Sequence, residues 1–196
     1  YKRQVEVLER HGDHQGLNLT TAVRDGIVGH TGTTIPVTLE GQIIRIVDRI
    51  AYLCHDFDDA QRAGMLTAEA LPFEVREHFG MTPSSMITAM VEDMVRESLD
   101  KPAISMSADV EMTMNLFRQF MFKHVYLAPA LIPDRKKASH VVKNLFTHFM
   151  EHPDDMEGCE TGKAFYSTRD VVDYVAGLTD QYAIKLFKQY YIPNIT

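Results

Sequence analysis

The chain is 196 residues long, with 45% hydrophobic residues, 24% charged residues and a formal net charge of -7. That length fits one large domain or a piece of one, and the balance is that of an ordinary soluble protein able to form a packed core. The negative charge gives no electrostatic reason to expect a nucleic-acid partner, no apolar run approaches the ~20 residues that span a bilayer, and the two cysteines, Cys54 and Cys159, lack CxxC spacing and suit a reducing cytoplasm.

The pattern is helical nearly throughout, and no stretch alternates as a strand does. The opening YKRQVEVLER has helical character without a cap or an initiator Met. It predicts a chain that begins inside a helix, as in a truncated or proteolysed protein, with that helix ending near His11-Gly12. Thr20 or Thr21 caps a short helix that ends near Gly29. HTGTTIPV, His30 to Val37, is a loop by composition. A long helix follows over about Leu39 to Ala63, closed by Gly64. Pro72 starts a short helix to about Phe79, and TPSS at Thr82 to Ser85 opens another to about Leu99. SADVEM caps a helix from about Ala108 to Leu127, and Pro129 follows it. Pro133 and Asp134 open a helix to about Glu151, and His152 to Ser167 is the longest irregular stretch. Thr168 to Tyr191 is one helix, or two broken at Gly177. With no internal repeat and no linker, the expectation is all-α, an irregular multi-helix assembly treated as one domain over residues 1–196.

The long helix carries the chemistry. At about 100° per residue, Ile46, Ile50, Leu53 and Phe57 fall on one side, and Asp48, Tyr52, His55 and Asp59 on the other with Asp56 at its edge. The ordinary reading of such a face is solvated charge. Two features argue for more. Asp48, Tyr52 and Asp56 are spaced i, i+4, i+8 and line one groove, and Asp56, Asp58 and Asp59 cluster without lysines at i+4 to offset them. Elsewhere, Met112, Leu116, Phe120 and Met121 read as core or as a helix-helix interface, His30 as an exposed loop histidine, and Tyr174 and Tyr182 as buried tyrosines with hydrogen-bonded hydroxyls.

VDRIAYLCHDFDDAQRAGML, Val47 to Leu66, resembles the fourth metal-ligand segment of the HD-domain deoxynucleoside triphosphate triphosphohydrolases. GLNLTTAVRDGIVGHTG at Gly16 to Gly32, LFRQFMFKHVY at Leu116 to Tyr126 and RDVVDYVAGLTDQYAIKLF at Arg169 to Phe187 are similar, in the same order, to segments of the bacterial dGTPase-like branch. The resemblance covers most of the chain and implies the C-terminal part of an HD-type helical domain, shortened at its N-terminus. It implies a cytoplasmic, often oligomeric enzyme that cleaves a dNTP to deoxynucleoside and tripolyphosphate with a divalent metal, Mg, Mn, Fe or Co. It further implies Asp48 as the last metal ligand, the family's His and His-Asp ligands lying before Tyr1. His55-Asp56 is not that doublet, because it follows Asp48 instead of preceding it. By the same resemblance Arg49 touches the triphosphate, Tyr52 lies near the sugar, and Asp56 accepts from the 3′-hydroxyl. Arg118 and Tyr126, eight apart on one helix, would supply a phosphate contact and a ring at the sugar's 2′ side, against the ordinary reading of a surface Arg and a core Tyr. A single remaining ligand implies that this piece alone is inactive and holds metal weakly or not at all. The alternatives are another HD phosphohydrolase, such as a nucleotidase or cyclic-dinucleotide phosphodiesterase, and a non-catalytic helical interaction module.

Overall fold

The computed structural model describes residues 10–11, 14–157 and 166–193. They form an all-α protein with eight α-helices and one minimal ladder. The chain divides into two compact units, Tyr1–Ala128 and Pro129–Thr196, although no composition break marks the boundary. No helix among the described residues is long and apolar enough to cross a membrane.

In the first unit the expected opening helix lies mostly outside the described residues. Where description begins, the expectation is corrected. Arg10–His11 (β1) pairs antiparallel with His14–Gln15 (β2), so the chain is in a ladder where a helix end was expected. The helices α1 (Thr21–Gly29), α2 (Leu39–Arg62), α3 (Phe73–Phe79), α4 (Pro83–Ser98) and α5 (Ala108–Met121) follow. The starts of α1, α2, α4 and α5 are set by side-chain caps. Thr20, Thr38 and Ser107 accept from the amides of Val23, Gly41 and Val110, and Thr82 and Ser85 cap each other reciprocally. Each such cap contributes about 1 kcal/mol. Gly64, at φ +67°, supplies the left-handed turn that ends the α2 region.

The core of this unit joins α2 through Ile50, Leu53, Cys54 and Phe57 to Val75 and Phe79 of α3, Met86 and Met90 of α4, and Met114, Phe117 and Met121 of α5. Burying each large side chain contributes roughly 1.5–3 kcal/mol. Phe57 meets the edge of Phe117 with ring centroids 5.8 Å apart, which fixes where α5 crosses α2. Ile46 is only partly buried. Met112, expected in a core or interface stripe, is instead 64% exposed, because its side of α5 faces away from the α2–α4 core.

The loop between α1 and α2 is strapped down. Arg45 donates to the carbonyls of Gly29, Gly32 and Thr34, Gln42 donates to that of Pro36, and Asp25 accepts from the Val37 amide. Pro36 nests between Gly29 and Gly41. A Cβ on either would lie 2.8 or 2.6 Å from the proline ring, so only glycine fits.

After α5 the backbone widens into a π turn, Phe122–Tyr126, in which the Leu127 amide donates to the Phe122 carbonyl at 2.9 Å. An unbroken α-helix to Leu127 was expected. The extra residue in the turn changes which way the side chains after Met121 point.

The second unit packs α7 (Thr168–Gly177) and α8 (Asp180–Tyr191) against α6 (Ile132–Glu151). Ser167 and Thr179 cap α7 and α8, so the C-terminal stretch is two helices, broken just after Gly177. Leu145, Phe149, Met156, Val171 and Leu186 form the core. Tyr182 is half-buried and donates to Glu157 at 2.5 Å, as expected of a tyrosine that keeps its hydroxyl partnered.

Candidate functional site

The residues that sequence spacing placed on one face of α2 lie on one continuous helix. Asp48 and Tyr52 are exposed, Arg49 and Asp56 are half-buried, and Ile50, Leu53 and Phe57 are buried behind them. The π turn after α5 roofs part of this face. Tyr126 donates its hydroxyl to Asp56 Oδ2 at 2.6 Å, and its ring stacks on Tyr52 with centroids 5.4 Å apart and planes 21° apart. Tyr52, Asp56 and Tyr126 therefore form one cluster from elements seventy positions apart in the chain.

The Tyr126 hydroxyl is held protonated far above the ordinary tyrosine range. Burial is the main cause, the hydrogen bond to the Asp56 carboxylate the next, and the neighbouring Tyr52 hydroxyl adds to both. Tyr126 is thus a permanent donor, and Asp56 an acceptor with lone pairs beyond the one it gives to Tyr126.

Arg118 is exposed, and its guanidinium lies over the Phe122 ring, 5.1 Å from the centroid. Phe122 in turn stands edge-on to Tyr126 at 5.1 Å and 73°. Arg118 and Tyr126 are thus connected, but through Phe122 and a π turn and not along a plain α-helical face. Sequence reasoning passed over Phe122. Its i, i+4, i+8 spacing with Arg118 and Tyr126 was the available signal.

Two expectations about charge are revised. Asp58 does have a cation at i+4, since Arg62 reaches it at 2.5 Å. His30 is half-buried instead of exposed, with Nδ1 donating to the Ile27 carbonyl at 2.6 Å, and it lines an apolar cavity of about 510 Å³ between α1 and α2. His55 and Asp59 are exposed on α2. Among the described residues, no group of three or more His, Cys, Asp or Glu side chains gathers where it would hold a metal ion. Asp48 offers one carboxylate, and the donors present do not by themselves fit a divalent metal.

Comparison with known proteins finds similarity to phosphohydrolases along the chain. Residues 104–189 match a phosphohydrolase-associated domain, which begins before α5 and runs into α8. The chain is 40% identical over 194 residues to a deoxyguanosinetriphosphate triphosphohydrolase-like protein of Caldanaerobacter subterraneus subsp. tengcongensis, covering 98% of this chain and 57% of that relative. Proteins of the same description from Clostridium perfringens and Desulfatibacillum aliphaticivorans are 35% and 32% identical, again over 98% of this chain and over 59% and 60% of their own lengths. The chain therefore spans about three-fifths of the curated relatives it matches.

Proposed function

We propose that this chain, similar over nearly its whole length to deoxyguanosinetriphosphate triphosphohydrolase-like proteins, supplies the sugar-recognising side of a dNTP triphosphohydrolase site. The reaction would be attack of water on the α-phosphorus, breaking the bond to the 5′-oxygen, which takes up a proton. The products would be a deoxynucleoside and tripolyphosphate.

The observation that carries this reading is the convergence of Tyr52, Asp56 and Tyr126 beside exposed Asp48 and half-buried Arg49. A sugar hydroxyl is recognised by a carboxylate acceptor held in place, and a flat ring beside it leaves no room for an extra hydroxyl. Asp56 supplies the acceptor, and the stacked Tyr52 and Tyr126 rings supply the flat wall. Arg49 and Arg118 would place positive charge where a polyphosphate chain develops negative charge. Asp48 would serve as one ligand of a divalent metal, the remaining donors being sought in the additional length of the relatives. With Asp48 alone, this chain by itself would bind metal weakly and turn over no substrate.

The test is kinetic and uses the whole protein. Asp56→Ala removes a charge-assisted hydrogen bond to the sugar, a contribution of about 1.5–3 kcal/mol. That corresponds to a loss of about one to two decades in kcat/KM for dNTPs. Asp48→Ala should be more damaging. Equal, mild effects from both changes overturn the assignment. A panel of dNTPs, nucleoside monophosphates and cyclic dinucleotides distinguishes this activity from that of another phosphohydrolase.

A further inference from the structure

We propose that Phe122 is a positioning residue: its ring sets the Arg118 guanidinium and the Tyr126 ring at one fixed spacing, so that the phosphate-facing cation and the sugar-facing tyrosine act as a unit. The proposal rests on the nucleotide reading given above for Arg118 and Tyr126.

The geometry is a line of contacts. Arg118 lies over the Phe122 ring at 5.1 Å, Phe122 stands edge-on to Tyr126 at 5.1 Å, and Tyr126 stacks on Tyr52 and donates to Asp56. A cation over a ring face and a T-shaped aromatic pair are both favoured by the ring quadrupole, so one side chain satisfies two neighbours at once. Phe122 is 38% exposed, more than a residue kept for core packing, whereas Phe57, Phe79 and Phe117 of the same unit are fully buried. Its backbone also opens the π turn, because its carbonyl accepts the Leu127 amide. The residue at which the helix widens thus also carries the ring on which Arg118 and Tyr126 settle. Without that ring, an exposed Arg118 on a flexible stem samples many rotamers, and Tyr126 keeps its bond to Asp56 but loses its lateral support.

Phe122→Leu keeps apolar bulk and removes the π face, while Phe122→Tyr keeps both. The first measurement uses this chain without nucleotide and reads the Arg118 Nε and Tyr126 ring resonances by NMR with selective labelling. Leu at 122 should shift both signals together, and Tyr should restore both. If neither signal moves, or if the Leu and Tyr variants behave alike, the inference is overturned. The second uses the whole protein with dGTP and GTP. Phe122→Leu should raise KM for dGTP about three- to tenfold, as expected for loss of one or two such contacts. Its kcat should stay within about twofold, and its preference for the deoxy substrate should fall, with Tyr restoring both. A merely structural role would lower kcat for both nucleotides through loss of folded protein and leave KM unmoved, which contradicts the proposal. Joint movement of the two resonances with unchanged nucleotide kinetics supports positioning by Phe122 and overturns the placement of the nucleotide on this face.

Discussion

Tyr126 donates its hydroxyl to Asp56 at 2.6 Å, tying the π turn after α5 to the middle of α2. Tyr126→Phe keeps the ring stacked on Tyr52 but leaves the half-buried carboxylate without this donor. Stability should fall by about 1.5 kcal/mol, the low end for a hydrogen bond to a charged group. Urea unfolding monitored by the tyrosine environment measures it, and an unchanged midpoint argues against a formed bond.

The same bond sets a pH dependence. The folded protein holds the Tyr126 proton above the unfolded value, through burial first and the Asp56 bond second. The stabilisation is therefore complete below about pH 10, where the unfolded tyrosine is still protonated, and is lost as pH rises from there toward the folded pKa. Stability curves of the wild type and Tyr126→Phe should converge as pH rises above about 10. Parallel curves contradict the assignment.

Arg45 holds three carbonyls of the α1–α2 connection with one guanidinium. Arg45→Lys keeps the charge but not the fork. Amide exchange across residues 30–37 should quicken by about tenfold or more, while the amides of α4 keep their protection. Equal exchange in both proteins shows the strap is not closed in solution.

Two glycine substitutions should move stability in opposite directions. Gly41→Ala drives a methyl to 2.6 Å from Pro36 Cβ, and overpacking of this kind costs about 1–3 kcal/mol. Gly177, the last residue of α7, has nothing within 4 Å of an added Cβ and no left-handed φ. Gly177→Ala should stabilise the second unit by about 0.4–1 kcal/mol through the unfolded chain. Thermal melts of the two variants read the sign directly.

Asp93 is 2% exposed and accepts from the Ser107 amide at 2.8 Å while pairing with Arg96. Ser107 caps α5, so Asp93 pins the start of that helix to α4. Asp93→Ala leaves a half-buried amide without its acceptor and should cost about 1–3 kcal/mol. Arg96→Lys, changing a side chain that is 68% exposed, should cost less than about 1 kcal/mol. If the two variants are equally destabilised, the Ser107 contact is not the important one.

Much of the fold was legible in local chemistry. Thr20, Thr38, Thr82, Ser107, Ser167 and Thr179 announce helix starts because a hydroxyl that caps an amide is a local event, and the α2 face follows from period alone. The π turn was not legible. No Gly or Pro marks Phe122–Tyr126, and a hydrogen bond shifted by one residue is decided by what the turn packs against. The ladder of Arg10–His11 with His14–Gln15 was hidden for a similar reason, since two-residue strands owe their pairing to each other and not to propensity. The site was half legible. Spacing put Tyr52 and Asp56 on one face, whereas Tyr126 closing over them depends on α5 crossing α2 at Phe57 and Phe117, and Phe122 gains its position only once that crossing exists.

Cys54 sits at the centre of this crossing, fully buried, with its thiol pushed up to about 12 by burial. A thiol with so little thiolate and no path to solvent is inert toward alkylating reagents until the helices around it part. In a protein carrying Cys159→Ser, the rate at which Cys54 is modified is therefore a clock for the opening of the first unit, started and stopped by the experimenter. Each substitution in α2, α5 or the π turn then has a kinetic signature that can be read without any substrate.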